Sequence, residues 1–322
     1  MYSKTDLLPA LAKFCQRSGL NSFYRPRCGG LGTILMFHRF ARDPASRVDC
    51  AGVVSAGFLD RLLGHIKRSG LPIVALRDVP QMVTAGRKFI CLTVDDGYRD
   101  NVDIALPILC RHDAPATIFV PSGVIDRTLD AWWLQVEEMA KQYPDPPRFY
   151  RHTIAEFTKN PDALERARRS FPACQIELND RYFMNSTEIK NIAANPLIDI
   201  GGHTVTHPFL KRLPEERAWH EIRQNKDDLE ELLGRSVETF AYPFGDAEAC
   251  DEREFRLVER AGYKVAVTTR VGNVFACRRN AMTDLPRYSV HGHTESVEVY
   301  DMQNSGIYFL LKSGFKSALG TG

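Results

Sequence analysis

Phe89-Ile90-Cys91-Leu92-Thr93-Val94-Asp95-Asp96-Gly97 is an uncharged run that stops on two adjacent carboxylates and a glycine. The first six residues read as a buried strand, and the Asp-Asp-Gly as the turn that ends it. Further along, Leu197-Ile198-Asp199-Ile200 reads as another such strand, followed by Gly201-Gly202-His203-Thr204-Val205-Thr206-His207. One carboxylate and two imidazoles make a donor set for a metal ion with open coordination positions. The other carboxylate is left over as a base beside it. Gly201 and Gly202 permit a close backbone approach that a side chain would block, and Pro208 stops the segment from continuing as a helix. Either motif alone is common. Their joint occurrence, each after a strand, is what carries information.

Strands and helices alternate around these two points. Thr33–Phe37 reads as a strand ending at His38, and Ser55 caps a helix running to about Lys67. Short strands follow at Pro72–Val74 and Ala116–Val120, with a helical segment near Arg99 between them. Asn185 and Ser186 offer caps for a helix carrying Ile189 and Ile192. A long apolar stripe from Ala218 to Leu233 ends at Gly234. Thr239–Ala241 and Lys264–Thr268 read as the last strands. From about 126 to 183 the rhythm breaks, and this stretch reads as an insertion on one face. Repeated strand–helix units predict a parallel sheet covered by helices, with chemistry at the strand ends. Spacing does not separate a closed barrel from an open doubly wound sheet. Leu7, Leu8, Leu11 and Phe14 recur at helical spacing, so residues 1–32 are expected to be a helical extension docked through that stripe. A catalytic domain is expected over 33–295 and a C-terminal tail over 296–322.

Composition narrows the class of partner. With 42 basic against 40 acidic residues, no net field draws the chain to nucleic acid or to an anionic membrane. No stretch approaches the roughly 20 apolar residues of a membrane span. Lys4, Asp6, Lys13 and Arg17 interrupt the first 20 residues, leaving no apolar core of a signal peptide. Eight cysteines with no Cys-x-x-Cys pair suggest neither a disulfide framework nor a thiolate zinc site. Reduced thiols and a cytoplasmic location are the expectation.

Thr93-Val94-Asp95-Asp96-Gly97 and His203-Thr204-Val205-Thr206-His207 resemble the first two motifs of the polysaccharide deacetylases, the family of chitin, chitooligosaccharide and poly-N-acetylglucosamine deacetylases. The similarity continues through Ala241-Tyr242-Pro243-Phe244-Gly245 and Leu285-Pro286-Arg287, so it spans about Thr33 to Val290. The resemblance implies an α/β fold, a distorted (β/α)7 barrel with the insertion on one face. It implies a metal-dependent hydrolase that removes N-acetyl groups from an oligo- or polysaccharide. Asp96, His203 and His207 would be the metal ligands and Asp95 the general base. Zn2+ is the family's metal, although the donor set also accepts Co2+, Ni2+ or Mn2+. Tyr242, Pro243, Phe244 and Gly245 would line the pocket wall, with a backbone N–H near Tyr242 available to an oxyanion.

Two departures from the family pattern shape the remaining assignments. The late Leu-x-His motif has no clear counterpart, since Ser289-Val290-His291-Gly292-His293 matches it poorly. Leu35-Met36-Phe37-His38-Arg39 instead resembles the early Tyr-His segment of the circularly permuted poly-N-acetylglucosamine branch. His38 is therefore the expected acid, with His291 and His293 as alternatives. The third motif lacks its arginine, and Arg287 is expected to supply a fork for Asp95. Trp132 and Trp133 read either as a sugar-stacking face or as core. His65, His112, His152 and His220 read as surface residues. Fold and metal site do not fix a substrate, so an amidohydrolase acting on another amide and a non-catalytic carbohydrate-binding protein remain rival readings.

Overall fold

In the computed structural model, which describes residues 4–43, 52–168, 175–277 and 281–314, the Phe89–Val94 run is a strand buried along its whole length. The strands in chain order are β1 (Gly32–Phe37), β2 (Arg39–Ala41), β3 (Val53–Ser55), β4 (Ile73–Val74), β5 (Phe89–Val94), β6 (Ala116–Val120), β7 (Ile198–Gly202), β8 (Thr239–Ala241), β9 (Val265–Val267) and β10 (Tyr288–Ser289). Eight of them form one parallel sheet in the order β10-β1-β5-β6-β7-β8-β9, with β4 against the first half of β5. β2 and β3 make a separate parallel pair. Strands covered on both faces need apolar side chains at every position, which is why they read as continuous runs.

The sheet curls because its two ends share a linker. Leu285 bridges Val267 of β9. Two residues on, the Arg287 N–H bonds to the Arg270 carbonyl, and the Val290 N–H bonds to the Met36 carbonyl of β1. The chain from Leu285 to Val290 thus carries the sheet from its last edge back to its first strand. The result is the expected (β/α)7-like part-barrel, with β1 seated between the last strand and β5.

The helices follow their capping signals. Ser55 accepts the Phe58 N–H at the start of Ala56–Arg68, and Asn185 forms a capping box with Glu188. Gly234, at φ 65°, closes the helix Glu215–Leu233. The insertion contributes helices Trp132–Ala140, Pro146–Lys159, Pro161–Arg168 and Gln175–Tyr182, with a small apolar cluster around Val136, Tyr150 and Phe157. The six described cysteines are free.

The two termini depart from expectation. Helix Lys4–Arg17 forms, but Leu7, Leu11 and Phe14 are exposed, and Ala12 and Cys15 face inward. The smaller side chains let this helix lie close against Val299 and Met302. Those belong to helix Val297–Asn304, which with Ile307–Ser313 replaces the expected tail. This layer is tied to the sheet where Thr33 Oγ1 donates to Asn304 Oδ1 at 3.1 Å.

Candidate active site

The C-terminal ends of the parallel strands open into one cavity of about 540 Å³. His38 follows β1, Asp95 and Asp96 follow β5, His203 follows β7, and Phe244 and His291 lie beyond β8 and β10; all six line it. Asp96 Oδ1 is 3.3 Å from His203 Nε2 and 3.3 Å from His207 Nε2. All three residues are buried, and their donor atoms lie within 4.8 Å of one another.

The ring orientations suit a metal ion. His203 Nδ1 lies 2.7 Å from the Ala241 carbonyl, which can only accept, so Nδ1 carries a proton and Nε2 is the atom turned toward the cluster, where it could ligate an ion. Burial opposes ionisation of Asp96, yet the His203 and His207 rings bonded to it hold its carboxyl well below the usual range. Burial pushes the His207 imidazole down against the pull of Asp96. Metal binding would displace any proton that the rings share with Asp96 and leave the carboxylate ionised. His207 Nδ1 is buried without a hydrogen-bond partner.

Backbone strain is concentrated here. Asp96, Thr204, His207 and Phe244 have φ of 76°, 65°, 59° and 61°. Only two other described non-glycine residues have positive φ. Such conformations cost about 1–3 kcal/mol each and persist where surrounding bonds enforce them. Helix Glu215–Leu233 supplies those bonds. Asn225 Oδ1 accepts the His203 N–H at 2.9 Å, and its Nδ2 donates to the Val120 and Thr204 carbonyls. Glu221 accepts the N–H groups of Val205 and Thr206 and the Thr206 hydroxyl. Sequence reasoning missed both residues. The available signal was their position at i+3 and i+7 from Ala218, polar side chains inside an apolar stripe.

The paired glycines carry the close approach expected of them. A Cβ on Gly202 would lie 2.2 Å from Tyr263 Oη and 2.5 Å from Asn225 Oδ1, and one on Gly201 would lie 2.5 Å from the Phe119 ring. Gly202→Ala should therefore destabilise the protein by about 1–3 kcal/mol and lower metal content by pushing Asn225 off the His203 amide. Thermal unfolding and metal analysis of the purified variant check this.

Asp95 is clamped by Arg287, which is fully buried. Nη1 donates to Oδ1 at 2.7 Å and Nη2 to Oδ2 at 2.8 Å, a two-pronged pairing. The guanidinium is itself held by the Thr268 carbonyl and by Thr93 Oγ1. Burial works against the Asp95 charge, but Arg287 outweighs it and lowers the pKa. The site thus holds an ionised carboxylate beside a separate three-residue metal cluster.

A family model described as polysaccharide deacetylase matches residues 83–266. The chain belongs to the polysaccharide deacetylase family. It is 22% identical to Bacillus subtilis YxkH, which is named for the same family, over 264 residues, or 80% of this chain and 70% of that protein. The Streptococcus pyogenes deacetylase PplD, solved in complex with acetate, superposes with a TM-score of 0.58 at 20% identity, covering 86% of this chain and 96% of that one. A de-N-acetylase from Aggregatibacter actinomycetemcomitans gives 0.59 at 13% identity, covering 84% and 98%. At these identities the structural likeness is one of fold. Family membership makes the protein a hydrolytic deacetylase of the class acting on acetylated carbohydrate.

The deacetylase brings both candidate acid histidines to its cavity. His38 is half-buried, and its carbonyl accepts from Asn101 Nδ2 at 3.0 Å. His291 lines the same cavity from the neighbouring strand end, its ring 5.3 Å from that of His293. His65 and His112 are not free surface residues: each is part-buried and paired, with Asp301 and Asp60 respectively, at 2.9 Å.

The third-motif segment needs correction. Of Tyr242, Pro243, Phe244 and Gly245, only Phe244 lines the cavity. Tyr242 continues the pairing of β8 with β9, which spends its N–H on the Val267 carbonyl at 3.2 Å. Its ring is fully buried and its hydroxyl donates to the Thr283 carbonyl. Phe244 stacks on Phe209 with centroids 3.7 Å apart and meets the His207 ring at 5.0 Å.

The insertion forms the opposite wall. Trp133 donates from Nε1 to Tyr98 Oη at 2.7 Å, with its ring 4.8 Å from that of His207. Trp132 is buried, edge-on to Phe157. The anchor lies beneath them, where Arg39 bonds Glu137 at 2.6 Å between the rings of Tyr98 and Tyr182. Both members of the pair are buried. Glu137→Ala would leave Arg39 only the more distant Asp100, at 4.0 Å, so it should lower stability by about 2–4 kcal/mol, read from denaturant unfolding.

Proposed function

We propose that the protein removes N-acetyl groups from amino sugars of an oligo- or polysaccharide, releasing acetate, with a zinc ion held by Asp96, His203 and His207. The observation that carries this reading is the side-by-side placement of that buried cluster and the Arg287-clamped Asp95 in one cavity. When bound, the ion polarises the acetamide carbonyl and lowers the pKa of water beside it toward about 7. Asp95, ionised and fixed by Arg287, takes the proton from the attacking water. The water oxygen bonds to the acetyl carbon, and the C–N bond breaks as the amine receives a proton. Acetate and a free amino sugar leave. The acetate bound to PplD and the de-N-acetylase among the proteins of like fold support this choice of leaving group and bond.

His38 is the proposed proton donor to the departing nitrogen. It lines the same cavity as Asp95, Asp96, His203 and His207, at the neighbouring strand end. His38→Ala should cut turnover about a hundredfold or more, leave metal content unchanged and remove the alkaline limb of the pH–rate profile. His291→Ala should do much less. The reverse ranking would give the role to His291. Phe244 and Trp133 form the two walls between which the acetamide would enter.

The direct test is acetate release from chitooligosaccharides by purified, metal-loaded protein, with the metal content measured in parallel. Tight sugar binding without turnover would favour a non-catalytic carbohydrate-binding protein. Release from simple acetamides but not from sugars would favour an amidohydrolase of other substrates.

A further inference from the structure

Seven large apolar side chains are exposed among the described residues, and five of them, Leu7, Leu11, Phe14, Phe23 and Leu311, sit on three helices at the chain's two ends. The three helices, Lys4–Arg17, Leu20–Cys28 and Ile307–Ser313, share one small core around Ala12, Cys15, Met302 and Ile307. Leu7, Leu11 and Phe14 form a stripe about a quarter turn from that core, and Leu7 and Phe14 are 66% and 60% exposed. No described residue covers that stripe.

Charge points to what covers it. Residues 4–28 carry five basic side chains and one acidic, helix Val297–Asn304 carries Glu298 and Asp301, and helix Ile307–Ser313 carries Lys312. The even balance of the full sequence therefore hides a terminal layer that is net basic among its described residues. Lys13, Arg17, Arg27 and Lys312 are exposed; Lys13 faces Glu298 closely enough to help lower its pKa, and Arg27 lies over the Phe23 ring at 5.0 Å. Apolar side chains flanked by exposed cations are the signature of a helix lying in a membrane interface, and each cation near an anionic surface adds to the attraction.

We propose that these three helices dock the protein peripherally on an anionic lipid surface, with Leu7, Leu11 and Phe14 entering the headgroup region. No helix among the described residues is long and apolar enough to cross a membrane, so this is attachment without a span. The layer packs alongside β1 and β10, while the insertion walls the cavity with Trp133 and Tyr150. Docking is independent of the proposed chemistry.

Sedimentation of the full chain with phosphatidylcholine vesicles, with and without phosphatidylglycerol, tests it. The protein should bind the anionic vesicles and leave the neutral ones, and added salt should release it. Neutralising Lys13 and Arg17 to glutamine should weaken partitioning roughly fivefold for each charge removed. Leu7→Ser, Leu11→Ser and Phe14→Ser together should abolish binding with the thermal unfolding profile retained; should that triple variant fail to fold, the Lys13 and Arg17 variants carry the test. Absence of binding to anionic vesicles would overturn the proposal, as would equal binding by the triple variant. A dimer that the same substitutions dissociate, with no vesicle binding, would show that a second copy covers this face instead.

Discussion

Asp95→Asn is expected to lower turnover by about a hundredfold to ten-thousandfold, the range in which a positioned general base contributes, while the protein keeps its metal. The reasoning starts from the division of labour between neighbours. Asp96 turns back to the histidines through a left-handed backbone, φ 76°, whereas Asp95 points to Arg287 with both oxygens. Asparagine at 95 leaves the Asp96, His203 and His207 donors in place, so metal analysis should match the parent. It cannot take a proton from water. It also leaves Arg287 facing a neutral partner in a buried site, so a stability loss should accompany the kinetic one, and unfolding must be measured beside turnover. His203→Ala and His207→Ala should show the complementary pattern, with metal occupancy and activity falling together. If Asp95→Asn loses the metal and Asp96→Asn keeps it, the two aspartates have exchanged roles.

That division was only partly legible in the sequence. The strand before Asp95 was readable to its last residue because both of its faces are covered, and no charged side chain interrupts it. The donor set was equally plain, as residue types after strand ends. The assignment of roles was borrowed from a resemblance, because two adjacent carboxylates look alike until a left-handed turn separates them. Glu221 and Asn225 went unread beside the apolar stripe of their helix; they are buried where the strained histidine loop brings its N–H groups to them. Tyr242 sits in the right motif but continues a strand, so its side chain and amide belong to the core. Curling of the sheet depends on the linker from Leu285 to Val290, which has no periodicity to read. On the first helix, two adjacent stripes were both plausible. Small side chains won the inner position because close packing against Val299 and Met302 favours them; of the expected stripe Leu8 packs beside them, and Leu7, Leu11 and Phe14 were left outside.

Arg287 provides the sharpest test of how the base is tuned. Burial alone would favour the protonated acid at Asp95, and the arginine reverses that preference. Arg287→Lys keeps a charge but loses the fork, because an ammonium cannot donate to both carboxylate oxygens in one plane. The loss of one charge-assisted bond, about 1.5–3 kcal/mol, should reduce turnover roughly tenfold to a hundredfold. Arg287→Met goes further and leaves Asp95 buried without a counter-charge, so its pKa should rise above the ordinary carboxylate value. In the parent, the base stays ionised as pH falls through the usual carboxylate range; in Arg287→Met it should protonate earlier, moving the acid limb of the pH–rate profile to higher pH. Stability should follow the same sign. With Asp95 depressed, the pairing contributes fully above the unfolded-state value of about 3.9 and is lost as pH falls through the lower folded value. The methionine variant should therefore be weakest at neutral pH relative to the parent, with the gap narrowing in acid as Asp95 takes up its proton. A pH–rate profile for Arg287→Met that overlays the parent's would mean that Asp95 is not the group whose ionisation the reaction needs.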